Sequence, residues 1–291
     1  MNFPRRTFIE HSLLCLAGLN ALAQAKDATQ KPLLRVGLLT DLHYADKPER
    51  GSRVYRDTAT KLEEAVAFFN QNSPQFVVCL GDLIDKAQSV ETEIQWLQHI
   101  ESVFAKTQAP RHYVLGNHCV ATLTKQEFIT HTAASKTSHY SFDSGGFHFI
   151  VLDACFTSDG TPYGRENFDW KDANIPPAQL EWLRSDLAAT ALPTLVFAHQ
   201  RLDEAAPHSV RNAAAVREIL AQSSRVLAVF QGHSHRNDYQ CIAGIHYCTL
   251  VAMIEGAGTE NSGYALLEIM EDRSLRLRGF RRQSSHDWPA S

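Results

Sequence analysis

The chain has 291 residues, 44% of them hydrophobic and 21% charged, with a formal net charge of −4. That balance excludes a disordered or fibrous chain and leaves ample length for a sizeable core. It also excludes a bulk electrostatic pull on nucleic acid or anionic membrane, so positive potential for an anion must come locally, from a few arginines or bound metal.

The first predicted element is a targeting segment. Arg5-Arg6-Thr7-Phe8-Ile9 is a twin-arginine signature, followed by a modest apolar stretch from Leu13 to Leu19. Small residues close it at Ala21-Leu22-Ala23 or Ala23-Gln24-Ala25. Residues 1–25 therefore read as a twin-arginine signal peptide rather than an ordinary amphipathic helix, with 26–34 as a linker. The expectation is a bacterial protein, periplasmic or otherwise extracytoplasmic, with the Tat translocon as partner during export. Cys15 follows Leu14, a residue too large for the usual lipoprotein site, so no stable membrane anchor is expected. No later stretch approaches the roughly 18 apolar residues of a membrane span.

Apolar runs and helical repeats then alternate. Val36 to Leu39 reads as a strand ending at Asp41-x-His43, and Thr58 to Asn72 carries Leu62, Ala65, Val66 and Phe69 at helical spacing. Phe76 to Leu80 is a strand ending at Gly81-Asp82-x-x-Asp85. Ser89 to Lys106 is a helix with Ile94, Leu97, Ile100 and Phe104 on one face, and Tyr113 to Leu115 leads into Gly116-Asn117-His118. Both helices read as crossovers between parallel strands. Tyr140 to Ala154 forms a hairpin turning at Asp143-Ser144-Gly145-Gly146. Pro176-Pro177 opens a helix carrying Leu180, Leu183 and Leu187, after which Leu195 to Phe197 leads to His199. Asn212 to Gln222 is helical through Val216, Ile219 and Leu220, and Val226 to Phe230 ends at Gly232-His233-x-His235.

Only strands follow: Tyr239 to Ile242, Ile245 to Val251, Tyr264 to Met270 and Leu275 to Phe280. This order, βαβ units and then an antiparallel stretch, predicts an α/β fold, a four-layer αββα sandwich of two mixed β-sheets flanked by helices. The domain spans 35–283, and 284–291 reads as a C-terminal tail. Beyond the signal segment the cysteines are Cys79, Cys119, Cys155, Cys241 and Cys248, an odd number in a chain too large to need disulfide stapling. Cys241 and Cys248 could face each other across a hairpin, although small apolar strand residues is the plainer reading.

The five strand ends carry Asp, His and Asn, and strand C-termini on one edge of a sheet converge on one crevice. Two Asp, four His and an Asn amide are too many for one tetrahedral zinc; they suit two first-row cations, Mn, Fe, Zn or Co. Asp82 is the natural bridge, since one carboxylate can offer an oxygen to each ion. Cations roughly 3.5–4 Å apart would ionise a shared water for in-line attack on phosphorus. His118 stands beside a candidate ligand without being needed as one, which suits the general acid for the leaving oxygen, with Asp85 as its orienting partner.

Together, Asp-x-His, Gly-Asp-x-x-Asp, Gly-Asn-His, the lone His and Gly-His-x-His resemble the calcineurin-like metallophosphoesterase family across essentially the whole chain after the signal segment. The resemblance implies a dinuclear-metal phosphoesterase in which Asp41, His43, Asp82 and His235 hold one ion and Asp82, Asn117, His199 and His233 the other. That family usually has Asp or Glu after Gly-Asn-His, where this chain has Cys119. A narrower similarity, through Thr40 to Asp46, Arg53-x-Tyr55-Arg56, Val151 to Ala154 and Ile254-Glu255-Gly256, is to manganese-dependent ADP-ribose/CDP-alcohol diphosphatases. Those usually carry Gln at the position of His43. Bacterial extracytoplasmic alkaline phosphatases of the same superfamily fit the export signal equally.

The expected substrate is a phosphorylated small molecule, a phosphate ester or anhydride, with Arg53, Arg56 and Arg201 as candidate contacts on rim loops. A non-catalytic metal-binding interaction module is the alternative from another class. No basic stripe with interleaved aromatics supports a nucleic-acid substrate. Cys119 is the one side chain to exclude as a covalent nucleophile.

Overall fold

Continuous burial along the central strands requires cover on both faces, and the fold supplies it. The computed structural model describes residues 31–206 and 208–290. The signal peptide expected at 1–25, and most of the linker after it, lie outside the described residues.

In chain order, β1 (Leu34–Leu39), α1 (Asp57–Asn72), β2 (Phe76–Cys79), α2 (Val90–Phe104) and β3 (Arg111–Tyr113) form two βαβ units. A short α3 (Lys125–Thr130) precedes the hairpin of β4 (Tyr140–Ser144) and β5 (Phe147–Val151). Next come α4 (Pro177–Ala189), β6 (Thr194–Phe197), α5 (Ala213–Ser223) and β7 (Val226–Gln231). The chain closes with β8 (Asp238–Ile242), β9 (Ile245–Thr249), β10 (Gly263–Ile269), β11 (Leu275–Arg281) and β12 (His286–Trp288). One six-stranded sheet has the order β12-β11-β10-β1-β2-β3, the other β4-β5-β6-β7-β9-β8. β1, β2 and β3 run parallel, as do β5, β6 and β7, so the expected crossovers and the mixed-sheet sandwich are present.

The pleat sends Val36 and Leu38 of β1, with Phe76 and Val78 of β2, into the layer between the sheets, where they meet Phe149, Phe197 and Phe230. The alternate residues Leu39, Val77 and Cys79 face Leu62, Val66 and Phe69 of α1 and Leu97 and Phe104 of α2. On the far side, Ile150, Val196 and Val229 pack on α4 and α5 through Leu183, Leu187, Val216 and Leu220. Fully burying each such side chain is worth about 1.5–3 kcal/mol, so three layers of them carry the fold.

Three points of the fold go beyond the sequence reading or decide between its alternatives. The segment read as a C-terminal tail is tied to the sheet through residue 288: β12 pairs with β11, and Trp288, 5% exposed, packs against Phe230 at the margin of the inter-sheet core. The helix α3 was not anticipated, because six residues give too little periodicity; its start is fixed by a capping box between Thr124 and Glu127. Cys241 and Cys248 do not pair. In the β8–β9 register Cys241 faces His246 and Cys248 faces Tyr239, and both thiols are free.

Candidate metal centre

The turns that end β1, β2 and β7 hold strained backbone. Asp41, His43, Asp82, His233 and His235 all have positive φ, between 46° and 71°. For residues with a β-carbon this costs roughly 1–2 kcal/mol each, so neighbouring structure must hold it. The turns brace one another: the Asp41 amide donates to the Gly81 carbonyl at 3.0 Å, His43 to Asp82 at 2.8 Å, and Gly232 to His199 at 3.0 Å. Motif glycines permit this closeness. A β-carbon at Gly116 would collide with the Asp82 carboxylate, and one at Gly232 with Thr40 and Asp41.

These turns bring all seven candidate ligands, with His118 and Asp85, to one crevice at the C-terminal ends of β1, β2, β3, β6 and β7. Asp41, Asp82, His199 and His235 each turn one atom inward and secure the other. Asp41 Oδ2 accepts from Thr40 Oγ at 2.7 Å and from the His233 amide at 3.0 Å. Its Oδ1 is left buried and unpartnered, 3.5 Å from His235 Nε2 and 3.6 Å from His43 Nε2. Asp82 Oδ1 accepts from the His118 amide at 2.8 Å, while Oδ2 lies 3.5 Å from His43 Nε2 and 3.1 Å from His199 Nε2. His199 donates from Nδ1 to the Leu80 carbonyl at 2.8 Å, which leaves Nε2 as the lone-pair nitrogen. His235 Nδ1 faces Glu255 Oε1 at 2.6 Å, and its Nε2 meets His43 Nε2 at 3.1 Å.

Two clusters of candidate ligands emerge, Asp41, His43 and His235, and Asp82, His199 and His233, with a third grouping of His43, Asp82 and His118 that shares a residue with each; the ligand atoms of each lie within 4.8 Å of one another. Asp82 Oδ2 lies between them. Asn117 lines the same crevice, and both of its amide atoms, like His199 Nε2 and His233 Nε2, are buried without a hydrogen-bond partner. Orphaned buried acceptors are costly, at about 1–3 kcal/mol each, unless something binds there. Oxygen and imidazole donors converging around a shared carboxylate fit a pair of first-row divalent cations.

Electrostatics agree. Burial disfavours an imidazolium at His199, yet the Asp82 and Asp41 carboxylates outweigh it and carry its pKa up to about 9. At His235 burial is likewise outweighed by Asp41 and Glu255, again to about 9. The carboxylates thus create a strong demand for positive charge at the crevice floor. His233 runs the other way: burial, reinforced by His199, depresses it to about 3 and keeps its imidazole neutral, the form that coordinates.

His118 Nδ1 is in short contact with Asp85 Oδ1, as the sequence led us to expect, and the ring borders the crevice. Asp85 is itself held by Lys47, whose Nζ is 2.7 Å from Oδ2. Burial opposes the Asp85 carboxylate, but His118 and His43 hold its pKa far below the ordinary range. Cys119 is fully buried; its sulfur accepts from the Leu83 amide at 3.4 Å, and burial with the Asp82 charge pushes its thiol up to about 12. A protonated thiol facing the core is no nucleophile.

The arginines divide. Arg53 lines the crevice. Arg56 instead meets Asp46 at 2.5 Å on the surface, away from the crevice. Arg201 corrects the expectation: it is 5% exposed, and its guanidinium is taken up by Asp203 at 2.8 Å, Asp238 at 2.6 Å and Glu204 at 3.3 Å, bracing the loop after β6. Three residues were not anticipated as site residues. Glu255 orients His235, Lys47 holds Asp85, and Trp170, an exposed large hydrophobic, stacks on His208 with ring centres 5.0 Å apart at the crevice mouth. An exposed tryptophan in a rim loop was the one visible signal among them.

Residues 34–237 match the family model described as calcineurin-like phosphoesterase. The chain is 26% identical to a manganese-dependent ADP-ribose/CDP-alcohol diphosphatase of Oryza sativa subsp. japonica, over 85% of this chain and 92% of that one. It is 24% identical to the Arabidopsis thaliana protein of the same description, over 90% and 98%. The fold resembles that of a dimetal phosphatase from Danio rerio, with a TM-score of 0.78 at 22% identity, covering 90% of this chain and all of that one (100%).

Proposed function

The chain belongs to the calcineurin-like phosphoesterase family and is a metallophosphoesterase, and from that premise we propose that it hydrolyses a phosphoanhydride of the ADP-ribose or CDP-alcohol kind. The relatives' activity supports the substrate class, and their manganese dependence supports Mn among the candidate cations. We assign Asp41, His43, Asp82 and His235 to one ion, and Asp82, Asn117, His199 and His233 to the other. The observation that carries this reading is the set of buried, unpartnered atoms, Asp41 Oδ1, Asn117 Oδ1, His199 Nε2 and His233 Nε2, gathered around Asp82.

Two bound cations supply a water ionised near neutral pH and neutralise phosphoryl charge. The chain's own residues do the rest. Thr40 and the His233 amide lock Asp41 so that only Oδ1 is free, and the His118 amide takes Oδ1 of Asp82 and leaves its Oδ2. Asp85 contacts His118 Nδ1 and fixes the ring so that Nε2 can give its proton to the leaving oxygen. Lys47, 2.7 Å from Oδ2, holds the Asp85 carboxylate in place. Arg53 adds positive charge at the crevice wall, where an anionic substrate enters.

A binding module that had lost catalysis would have no use for the His118–Asp85–Lys47 chain. The test is purified protein with bound metal counted, assayed on ADP-ribose, CDP-choline and p-nitrophenyl phosphate. Manganese-dependent turnover, fastest on the two anhydrides, is the expected result; two ions bound with no turnover on any of them would favour the module.

We also propose export by the twin-arginine route, on the strength of Arg5-Arg6 and the apolar segment after it. Among the described residues no helix is long and apolar enough to cross a membrane. Cell fractionation of the native chain against a variant with both Arg5→Lys and Arg6→Lys tests this, with cytoplasmic retention of the variant expected.

A further inference from the structure

The crevice over the candidate ligands encloses about 300 Å³. That is the lower limit of small-molecule sites, which run to roughly 1,000 Å³, so a two-part anhydride substrate extends beyond it. Beside it opens a second cavity of about 700 Å³, and the two share Arg53 and His118 as a common wall. The larger cavity is lined on one side by Arg50 and Arg53 and on another by the rings of Tyr55 and Trp96.

Its charges do not cancel. Lys47 is paired with Asp85, Asp46 with Arg56, and Lys86 with Glu166. Among the described residues neither Arg50 nor Arg53 closes an ion pair; Arg53 is braced by the Tyr55 hydroxyl and offsets part of the Glu255 charge, and the Arg50 guanidinium is the freer of the two for an anion. Lys47 Nζ lies 4.4 Å from the centre of the Tyr55 ring and 5.9 Å from that of Trp96, so it holds this aromatic wall as well as Asp85.

His118 fixes the direction. A proton donor stands beside the oxygen that departs, and the candidate metal ligands lie on the crevice side of His118, so the departing half of the substrate passes to its other side. We propose that the Arg50–Trp96 cavity is the leaving-group pocket. It takes the distal phosphoryl of an anhydride on Arg50 and Arg53, with a nucleoside-sized substituent against Trp96. In the step this implies, a water oxygen gives up a proton to solvent and bonds to the phosphorus held in the crevice while the bridging P–O bond breaks. The bridging oxygen leaves with the electron pair on the distal phosphate, which is neutralised by the two arginines and by a proton from His118. This assignment rests on the phosphoanhydride reading above.

The test uses Arg50→Gln, an exposed position where folding is not at stake, and Trp96→Leu. Calorimetric titration with ADP needs no turnover: each variant is expected to bind it about 10-fold or more weakly than the unaltered protein. In turnover, the ratio of kcat/KM for ADP-ribose to that for p-nitrophenyl phosphate is expected to fall at least about 10-fold in Arg50→Gln. Unchanged ADP affinity in both variants, or equal losses on the two substrates, would overturn the pocket. If the unaltered protein with two ions bound turned over no phosphate compound, the enzymatic reading itself would fall, and ADP binding would still decide whether the cavity is a nucleotide site.

Discussion

The Glu255 carboxylate holds His235 Nδ1 at 2.6 Å and so fixes which nitrogen His235 offers to the candidate cation. The two residues are 20 positions apart and come from different loops. His235 raises no objection: burial disfavours its charge, but Asp41 and Glu255 prevail, while Glu255 in turn is lowered to about 2 by the same contact. Glu255→Gln keeps a hydrogen-bond acceptor and removes the charge. Partners of this kind are worth roughly 10–100-fold in metal affinity. The expected outcome is selective weakening of one of two manganese sites in a titration, with the other unaffected; equal weakening of both would show that Glu255 acts on the cluster as a whole.

His118 and Asp85 make a different claim, because neither is assigned to a cation. His118→Asn should lower kcat on esters with poor leaving groups by about 10²–10⁴-fold, the usual worth of a positioned acid, with two ions still bound. Asp85→Asn should lose less, since it misorients the ring without removing it. Loss of an ion from His118→Asn would show that His118 belongs among the ligands; metal content measured by atomic emission beside kcat separates the two roles.

The seven candidate ligands were legible because each follows an apolar run, and strand ends in a parallel sheet share an edge. The sandwich was legible for the same reason, as β1, β2, β6 and β7 are buried on both faces and read as continuous apolar runs. What supports those ligands was not. Glu255, Lys47 and Thr40 act through single contacts set by loop geometry, and no periodicity points to them. Arg201 read as a rim residue because its loop looks polar; the carboxylates that absorb it come partly from Asp238, 37 residues on. Trp288 stood among polar residues, so its three-residue strand looked like tail.

Lys61 is fully buried on α1, with its ammonium donating to the carbonyls of Met253 at 2.8 Å, Glu255 at 3.2 Å and Gly256 at 2.6 Å. That single cation ties the loop bearing Glu255 to the helix. Lys61→Met fills similar volume but leaves these carbonyls without their donor, at about 1–3 kcal/mol for each one left unsatisfied. A fall in urea midpoint, together with weaker manganese binding in the still-folded protein, is expected. An unchanged midpoint would mean that the loop finds other donors.

Gly116 offers a sharper structural test, because its neighbour is Asp82 itself. Gly116→Ala places a methyl group against the carboxylate that lies between the two clusters, and the strained turn around it has little room to yield. Overpacking of this kind costs about 1–3 kcal/mol and here displaces a shared group. Both ions should bind more weakly, unlike in Glu255→Gln; retention of both at native affinity would show that Asp82 is not shared.

The last prediction concerns pH and lies away from the crevice. His148 on β5 is buried, with Nδ1 at 2.6 Å from Asp143 and Nε2 at 2.8 Å from Asp186 of α4. Burial disfavours its imidazolium, but the hydrogen bonds to Asp186 and Asp143 outweigh that and raise its pKa above the ordinary value. A group whose pKa is raised by folding stabilises the fold fully below its unfolded pKa, about 6.5 for histidine, and loses that contribution as pH climbs through the folded value. His148→Gln removes the charge and keeps a polar side chain. Urea midpoints of the variant and the unaltered protein should therefore differ most near about pH 5.5 and converge toward about pH 8.5. A gap that stayed constant or widened on going up would mean that His148 is held neutral in the native state.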